Sequence, residues 1–287
     1  MQGVVYVNGT ITPAADAVVP VFDHGFVYGE GIYETLRTYA RAPFLFDAHM
    51  DRLRQSAALI ALPVPMTDGE LRSAVDLTIA AHAAPADEFY IRILLTRGVG
   101  ELSYSLNATP TPTVVIIVKP LGAFPERCYT DGIRVALVDI RRNHTTALNP
   151  MIKSNNLLNN ALAMQEAYRR GAEEALMLNH DGFVTECAQS NFFVVRGGVL
   201  LTPPLSAGLL PGITRSFILE LATSLGIANA ERQLMTSDVL TADEAFLTST
   251  TREITPVTTI DAERVGDGTP GPITRRLRDA FRSRQPA

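Results

Sequence analysis

The chemistry this sequence can offer is concentrated at four places. Lys153 lies in Asn149-Pro-Met-Ile-Lys153-Ser-Asn-Asn, after an apolar pair and a helix-disfavouring proline. It precedes Leu157 to Arg170, a run rich in Ala, Leu and Met that predicts a helix. A lysine at such a junction sits at an element end, half-sheltered by apolar neighbours. Partial burial and nearby positive charge lower an ammonium pKa, and the free amine can attack a carbonyl to form a Schiff base. An ordinary surface lysine is the alternative. The second place is Pro211-Gly212-Ile213-Thr214, where free backbone N–H groups at a helix start, with a hydroxyl beside them, suit an anion and phosphate above all. Ser249-Thr250-Thr251 is a further cluster of small hydroxyl donors after a short strand. The last is Glu186, at the end of a hairpin strand. A carboxylate against a pyridine nitrogen keeps it protonated and lets the ring accept electrons; a surface glutamate closing a hairpin is the alternative. An amine, a phosphate cup and a partner for a ring nitrogen together meet the demands of a phosphorylated aldehyde cofactor.

The elements that must position these groups follow from periodicity and turn residues. Val4 to Val7 and Asn8-Gly9 predict a hairpin, and Ala17 to Phe22 an extended segment. The loop Asp23 to Thr35 carries Gly29 and Gly31 but lacks the third glycine of a dinucleotide loop, since Glu34 stands there. Its glycines let the backbone turn close to a pocket, with Tyr28 and Tyr33 as walls, before a strand over Leu36 to Tyr39. Asp47 is placed to cap a helix over Ala48 to Ala61. His49 and Arg52, three apart on one face of it, read as an exposed pair. A second helix is expected over Asp68 to His82, then strands over Glu88 to Arg97 and Thr113 to Lys119. The first of these strands carries Tyr90 and Arg92 on one side. Two prolines and a glycine in Lys119 to Glu126 mark a linker, giving domains over 1–120 and 131–287 with 121–130 between them. The second half predicts a strand over Gly132 to Val138, the helix after Lys153 closed by Gly171, and hairpins over Ala175 to Glu186 and Asn191 to Thr202. A helix from Pro211 to about Leu225, strands over Glu244 to Thr248 and Ile254 to Thr258, and a helix over Pro272 to Phe281 complete it.

Composition narrows the function classes. The chain has 287 residues, 46% hydrophobic and 19% charged, with a net charge of −5. That is globular composition without the basic stripe of a nucleic-acid binder. The arginines from Arg275 to Arg284 read as part of a solvated terminal helix. Cys128 and Cys187 have neither metal-site nor disulfide spacing, so reducing cytoplasm is expected and no metal. No stretch has the apolar length of a membrane span.

With these residues assembled, the chain resembles the fold-type IV pyridoxal phosphate enzymes, the class IV aminotransferases. The resemblance runs over nearly the whole length and is most specific in Ile152-Lys-Ser-Asn-Asn, Glu174-Ala-Leu-Met-Leu, Gly182-Phe-Val-Thr-Glu186-Cys-Ala-Gln-Ser-Asn191-Phe and Leu210-Pro-Gly-Ile-Thr-Arg215. It implies an α/β (α+β) fold with a small N-terminal α/β domain and a larger barrel-like C-terminal α/β domain, in a homodimer. It implies that Lys153 holds pyridoxal 5'-phosphate and moves the proton between substrate Cα and cofactor, and that Glu186 pairs with the ring nitrogen. Arg52, Ile213, Thr214, Ser249 and Thr250 would contact the phosphate, which reverses the exposed-pair reading of Arg52. Within the class, Tyr28-Gly-Glu-Gly-Ile-Tyr33-Glu-Thr, Tyr90-Ile-Arg92 and the ending from Val265 to Arg275 are similar to branched-chain aminotransferases. There Tyr28, Tyr33, Arg92 and Thr251 would face the substrate. The implied reaction moves an amino group between an aliphatic L-amino acid and 2-oxoglutarate. Leu157 departs from that pattern, standing where a tyrosine usually bonds the cofactor, as in D-amino-acid aminotransferases. Leu102 and Tyr104 replace the arginine and histidine with which those D-enzymes hold the substrate carboxylate. A D-amino-acid or (R)-amine transaminase and 4-amino-4-deoxychorismate lyase are the alternatives on the same scaffold. A cofactor carrier without turnover is the alternative from another class.

Overall fold

In the computed structural model, residues 3–82, 86 and 88–286 are described. The chain divides into two compact units, one running to Gly122 together with Ile152–Asn156, the other Ala123–Met151 and Leu157–Gln285. The five residues around Lys153 therefore fold with the first unit, although the sequence places them inside a domain running unbroken from 131.

The first unit is a six-stranded antiparallel sheet covered by helices on one face. Strands β1 (Val4–Val7) and β2 (Thr10–Pro13) form the hairpin turned at Asn8-Gly9, where both φ angles are positive, as that turn requires. A single helical turn, α1 (His24–Val27), is capped by Asp23. Next come β3 (Gly31–Tyr39), the short β4 (Ala42–Pro43), α2 (Phe46–Leu59), α3 (Asp68–Ala80), β5 (Phe89–Thr96) and β6 (Thr113–Pro120). The spatial order is β2-β1-β6-β5-β3-β4. Alternation along β3, β5 and β6 sends Ile32, Leu36, Ile91, Ile93, Leu95, Ile116 and Val118 into a core closed by Met50, Leu53 and Val75 of the two helices.

Three local expectations change here. Ala17 to Phe22 pairs with no strand. Strand β3 begins at Gly31, not Leu36, so Tyr33 and Glu34 lie on a strand rather than in a loop. Helix α2 begins at Phe46 behind Leu45, whose φ is 52°, and Asp47 sits inside the first turn without capping it. The register of β3 against β5 runs unbroken from Gly31↔Thr96 to Arg37↔Tyr90. That long pairing overrides the turn preference of the glycines.

The second unit is a nine-stranded mixed sheet, a curled half-barrel. Its elements are α4 (Arg127–Thr130), β7 (Ile133–Leu137), α5 (Leu158–Arg169), β8 (Glu174–Leu178), β9 (Val184–Cys187), β10 (Asn191–Arg196), β11 (Val199–Thr202), α6 (Ile213–Ser224), β12 (Asn229–Glu231), α7 (Thr236–Leu240), β13 (Glu244–Ser249), β14 (Glu253–Ile260), β15 (Glu263–Arg264) and α8 (Pro272–Arg282). The order is β12-β11-β10-β13-β14-β7-β8-β9, with β15 on β14. Helix α5 buries Ala163, Met164 and Ala167 against Ala136, Ala175 and Met177 of the sheet. Cys128 and Tyr129 of α4 are buried, so the stretch expected as a linker is packed structure from Arg127 on. The arginines of α8 are not simply solvated: Arg278 donates to Tyr129 O at 2.9 Å and Arg282 to Glu253 at 3.2 Å. Among the described residues no helix is long and apolar enough to cross a membrane.

Candidate active site

In the first unit, Lys153 is half-buried and its short segment is bridged to the start of β3. Tyr33 N donates to Lys153 O and Asn155 N to Gly31 O, both at 2.9 Å, with Ser154 bridged to Ile32. Gly31 permits this approach, because a Cβ there would overlap the Asn155 amide and crowd Leu95 O. Ser56 of α2, 1% exposed, accepts the Lys153 N–H at 3.2 Å. The Lys153 Nζ then lies 4.5 Å from the centre of the Tyr33 ring, and the Arg92 guanidinium 3.9 Å from it. Three of the residues singled out in the sequence thus meet at one aromatic ring. A cation over a ring face is attracted by its quadrupole, so Tyr33 restrains both side chains.

Helix α2 presents His49, Arg52 and Ser56 at helical spacing along one buried face. His49 and Arg52, which helix spacing alone reads as an exposed pair, are both buried, because the fully buried Glu34 of β3 is their common partner. Arg52 Nε donates to Glu34 Oε1 and Nη2 to Oε2, each at 2.7 Å, and His49 Nδ1 stands 2.7 Å from Oε2. Burial raises the Glu34 pKa, but the charge and hydrogen bonds of Arg52, then those of His49, outweigh it and hold the carboxyl well below the usual carboxylate range. Burial lowers the His49 pKa; Glu34 opposes this, while the Arg52 and Lys153 charges add to it. His49 is therefore a neutral donor within electrostatic reach of both cations.

Tyr28 ends α1, with its ring 5.0 Å from the rings of His24 and Tyr104. His24 ties that loop down through Glu30 at 3.0 Å and Glu101 O at 2.8 Å. Leu102 and Tyr104 are exposed on a neighbouring loop.

In the second unit, Glu186 is buried near the end of β9. Arg142 Nε donates to its Oε1 at 2.9 Å and Asn191 Nδ2 to its Oε2 at 3.2 Å. Arg142 also donates to Asn159 of α5 at 3.2 Å. The Asn191 amide donates a second time, to Leu210 O at 3.0 Å, just before Gly212 caps α6 without any side-chain acceptor. The first-turn N–H groups at Ile213 and Thr214 have no partner inside the helix and point out of its positive end. Thr250 and Thr251 form the turn between β13 and β14. Ser249 accepts the Arg252 N–H at 3.3 Å, and Arg252 is anchored on buried Glu174 and on Ser190. Thr248, cross-strand from Asn191, keeps a buried hydroxyl without a partner among the described residues.

The family model described as amino-transferase class IV matches residues 31–260. The chain belongs to the class IV aminotransferases. Among its relatives, the D-alanine aminotransferase of Bacillus licheniformis is 33% identical over 96% of this chain and 95% of that one. The branched-chain-amino-acid aminotransferase of Pseudomonas aeruginosa is also 33% identical, over 98% and 92%. Among solved structures, the branched-chain amino acid aminotransferase of Thermobaculum terrenum, in its PLP-bound holo form, superposes with a TM-score of 0.86 at 32% identity, covering 98% of this chain and 92% of that one.

The class IV aminotransferase fold is that of the fold-type IV enzymes, and the protein is a pyridoxal-phosphate-dependent aminotransferase. Its residues fit such a cofactor. Gly212, where a Cβ would overlap Asn191 Oδ1, leaves the backbone at the start of α6 without a side chain. The uncapped start of α6 suits a phosphate, and Glu186 is a buried carboxylate fixed from two sides. Sequence reading missed Glu34, Ser56 and Arg142 as members of these clusters and named Asn191 only within a motif. For Glu34 a signal existed: it interrupts the apolar alternation Ile32, Leu36 on the core-facing side of β3. For Arg142, in an irregular segment 44 residues from Glu186, there was none.

Proposed function

We propose that this aminotransferase moves the amino group of a branched-chain or similar aliphatic L-amino acid to 2-oxoglutarate. The observation that carries the reading is the Tyr33 ring with Lys153 and Arg92 against it. It joins an apolar wall on β3, a cation on β5 and an amine on the short segment bridged to β3. Pyridoxal phosphate, when bound, supplies a ring that withdraws the electron pair left on the substrate carbon. Lys153 Nζ would hold the cofactor and would carry the proton taken from the substrate Cα. Glu186, oriented by Arg142 and Asn191, would pair with the ring N–H. Arg52, Ile213, Thr214, Ser249 and Thr250 would bind the phosphate. Arg92, Tyr28 and Thr251 orient the substrate carboxylate, and Tyr33 gives the side chain its apolar wall.

We further propose a homodimer. Val21, Phe22, Phe26, Leu102, Tyr104 and Leu106 of the first unit are exposed large hydrophobics on two loops tied together by His24, and apolar surface of that kind marks an interface. Free, buried Cys128 and Cys187 suit the reducing cytoplasm.

A second reading, a D-amino-acid transaminase, is favoured by Leu157 at the start of α5 and by the equal identity of the D-alanine relative. The test offers L-leucine, L-valine, D-alanine and an (R)-amine, each with 2-oxoglutarate and with pyruvate, and follows 2-oxo acid release. Turnover of the L-donors with 2-oxoglutarate at least about tenfold faster than of D-alanine is the expected result. The reverse order would replace the leading reading with the second. Absence of transfer from every donor, with coloured cofactor retained, would overturn both.

A further inference from the structure

We propose that Asn191 is a positioning residue that sets the distance between Glu186 and the opening of α6, so that the two ends of the cofactor are gripped as one unit. This rests on the assignment of Glu186 to the ring nitrogen and of the α6 start to the phosphate. Asn191 is the first residue of β10 and is 6% exposed. A side-chain amide has two N–H donors and one acceptor oxygen. Here the donors diverge, to Glu186 Oε2 at 3.2 Å and to Leu210 O at 3.0 Å. Its oxygen fills the space over Gly212 so closely that no side chain fits there. Gly212 has φ −70°, an ordinary value for any residue, so the glycine answers to the amide beside it and not to a backbone need. One planar group therefore touches the carboxylate on one side and both the carbonyl before α6 and the cap of α6 on the other.

Each neighbouring chemistry fails this task. Aspartate has no N–H for either acceptor and sets a second negative charge against Glu186. Alanine removes the donor to the Glu186 carboxylate and the donor to the Leu210 carbonyl together. Glutamine keeps the amide but lengthens its stem, which moves the two grips relative to each other.

The test uses the full chain and two probes, each reading one end: pyridoxine, a ring without aldehyde or phosphate, and inorganic phosphate. Affinities come from the rise in unfolding temperature with probe concentration. Glu186→Gln is expected to weaken pyridoxine alone and Thr214→Ala phosphate alone. Asn191→Ala and Asn191→Gln are expected to weaken both by about tenfold, with the unfolding temperature of the probe-free protein nearly unchanged for Asn191→Gln. A second readout is cofactor release from the holoprotein during dialysis, faster for both Asn191 variants. Weakening of one probe only, or of neither, in Asn191→Gln overturns the proposal. If Glu186→Gln and Thr214→Ala each leave their own probe unaffected, the cofactor assignment itself fails.

Discussion

Each unit buries a carboxylate against an arginine, Glu34 with Arg52 in the first and Glu186 with Arg142 in the second, and the surroundings of the two pairs differ. Glu34 sits mid-strand at zero exposure, and both arginine nitrogens and the histidine that bind it come from one helix. A two-pronged arginine–carboxylate pair fixes geometry as well as charge, so Glu34 locks Arg52 in one orientation on α2. Glu186 lies near a strand end, and its two oxygens are held by different elements: Arg142 from an irregular segment, and Asn191 from β10. A carboxylate held from separate directions is aimed, with its tilt set by the chain on either side. The same ion pair thus serves to preorganise a cation in one region and to orient an anion in the other.

The sharpest way to break this comparison starts from the amine beside the first pair. Lys153→Ala is expected to lose the visible absorbance of bound cofactor and to drop transamination by about four orders of magnitude, the upper end for a lost acid–base group; an unchanged spectrum would remove Lys153 from its role. Next, Glu34→Gln and Glu186→Gln should separate. The first strands a buried arginine charge and is expected to cost about 3–5 kcal/mol of stability, read by denaturant unfolding. The second is expected to act on rate, about a hundredfold or more, as removal of an oriented electrostatic partner does. If Glu186→Gln unfolds the protein while Glu34→Gln spares it, the assignments are reversed. Arg52→Ala is expected to release cofactor faster on dialysis, by about tenfold, the effect of roughly one lost charged contact.

Acidity gives a smaller, graded effect. The pKa of His49 is lowered by folding, so its neutral form is the folded one. Above the ordinary imidazole value of about 6.5 it costs nothing, and below that value the unfolded chain takes up a proton that the folded chain refuses. The Glu34 carboxyl is lowered too. Its contribution is complete above the ordinary glutamate value of about 4.3 and is lost as pH falls through its depressed folded value. Both groups therefore destabilise the fold on acidification, His49 first. A series of unfolding temperatures between pH 8 and 5 should fall in the wild type and fall less in His49→Gln. Smallest of all, Ser56→Ala removes one neutral hydrogen bond to the Lys153 backbone and is expected to cost about 1 kcal/mol, with a modest loss of rate as the lysine segment loosens.

Much of this was legible along the chain because it is local. The hairpin at Asn8-Gly9, the glycine and threonine opening α6, the hairpin ending in Glu186 and the motif around Lys153 depend on residues a few positions apart. Local rules also misled. Gly29, Gly31 and two tyrosines suggested a loop through Thr35, whereas seven paired positions with β5 hold Gly31 onward in a strand.

Amino-acid order alone established the family motifs, the cofactor chemistry they imply and most of the strands and helices. It left the partners of the charged groups open. Glu34 meets His49 and Arg52 from 15 and 18 residues away, and Arg142 reaches Glu186 across 44. Whether an arginine three places from a histidine faces water or a buried carboxylate is settled by which strand packs under its helix, and that packing is a property of the folded chain.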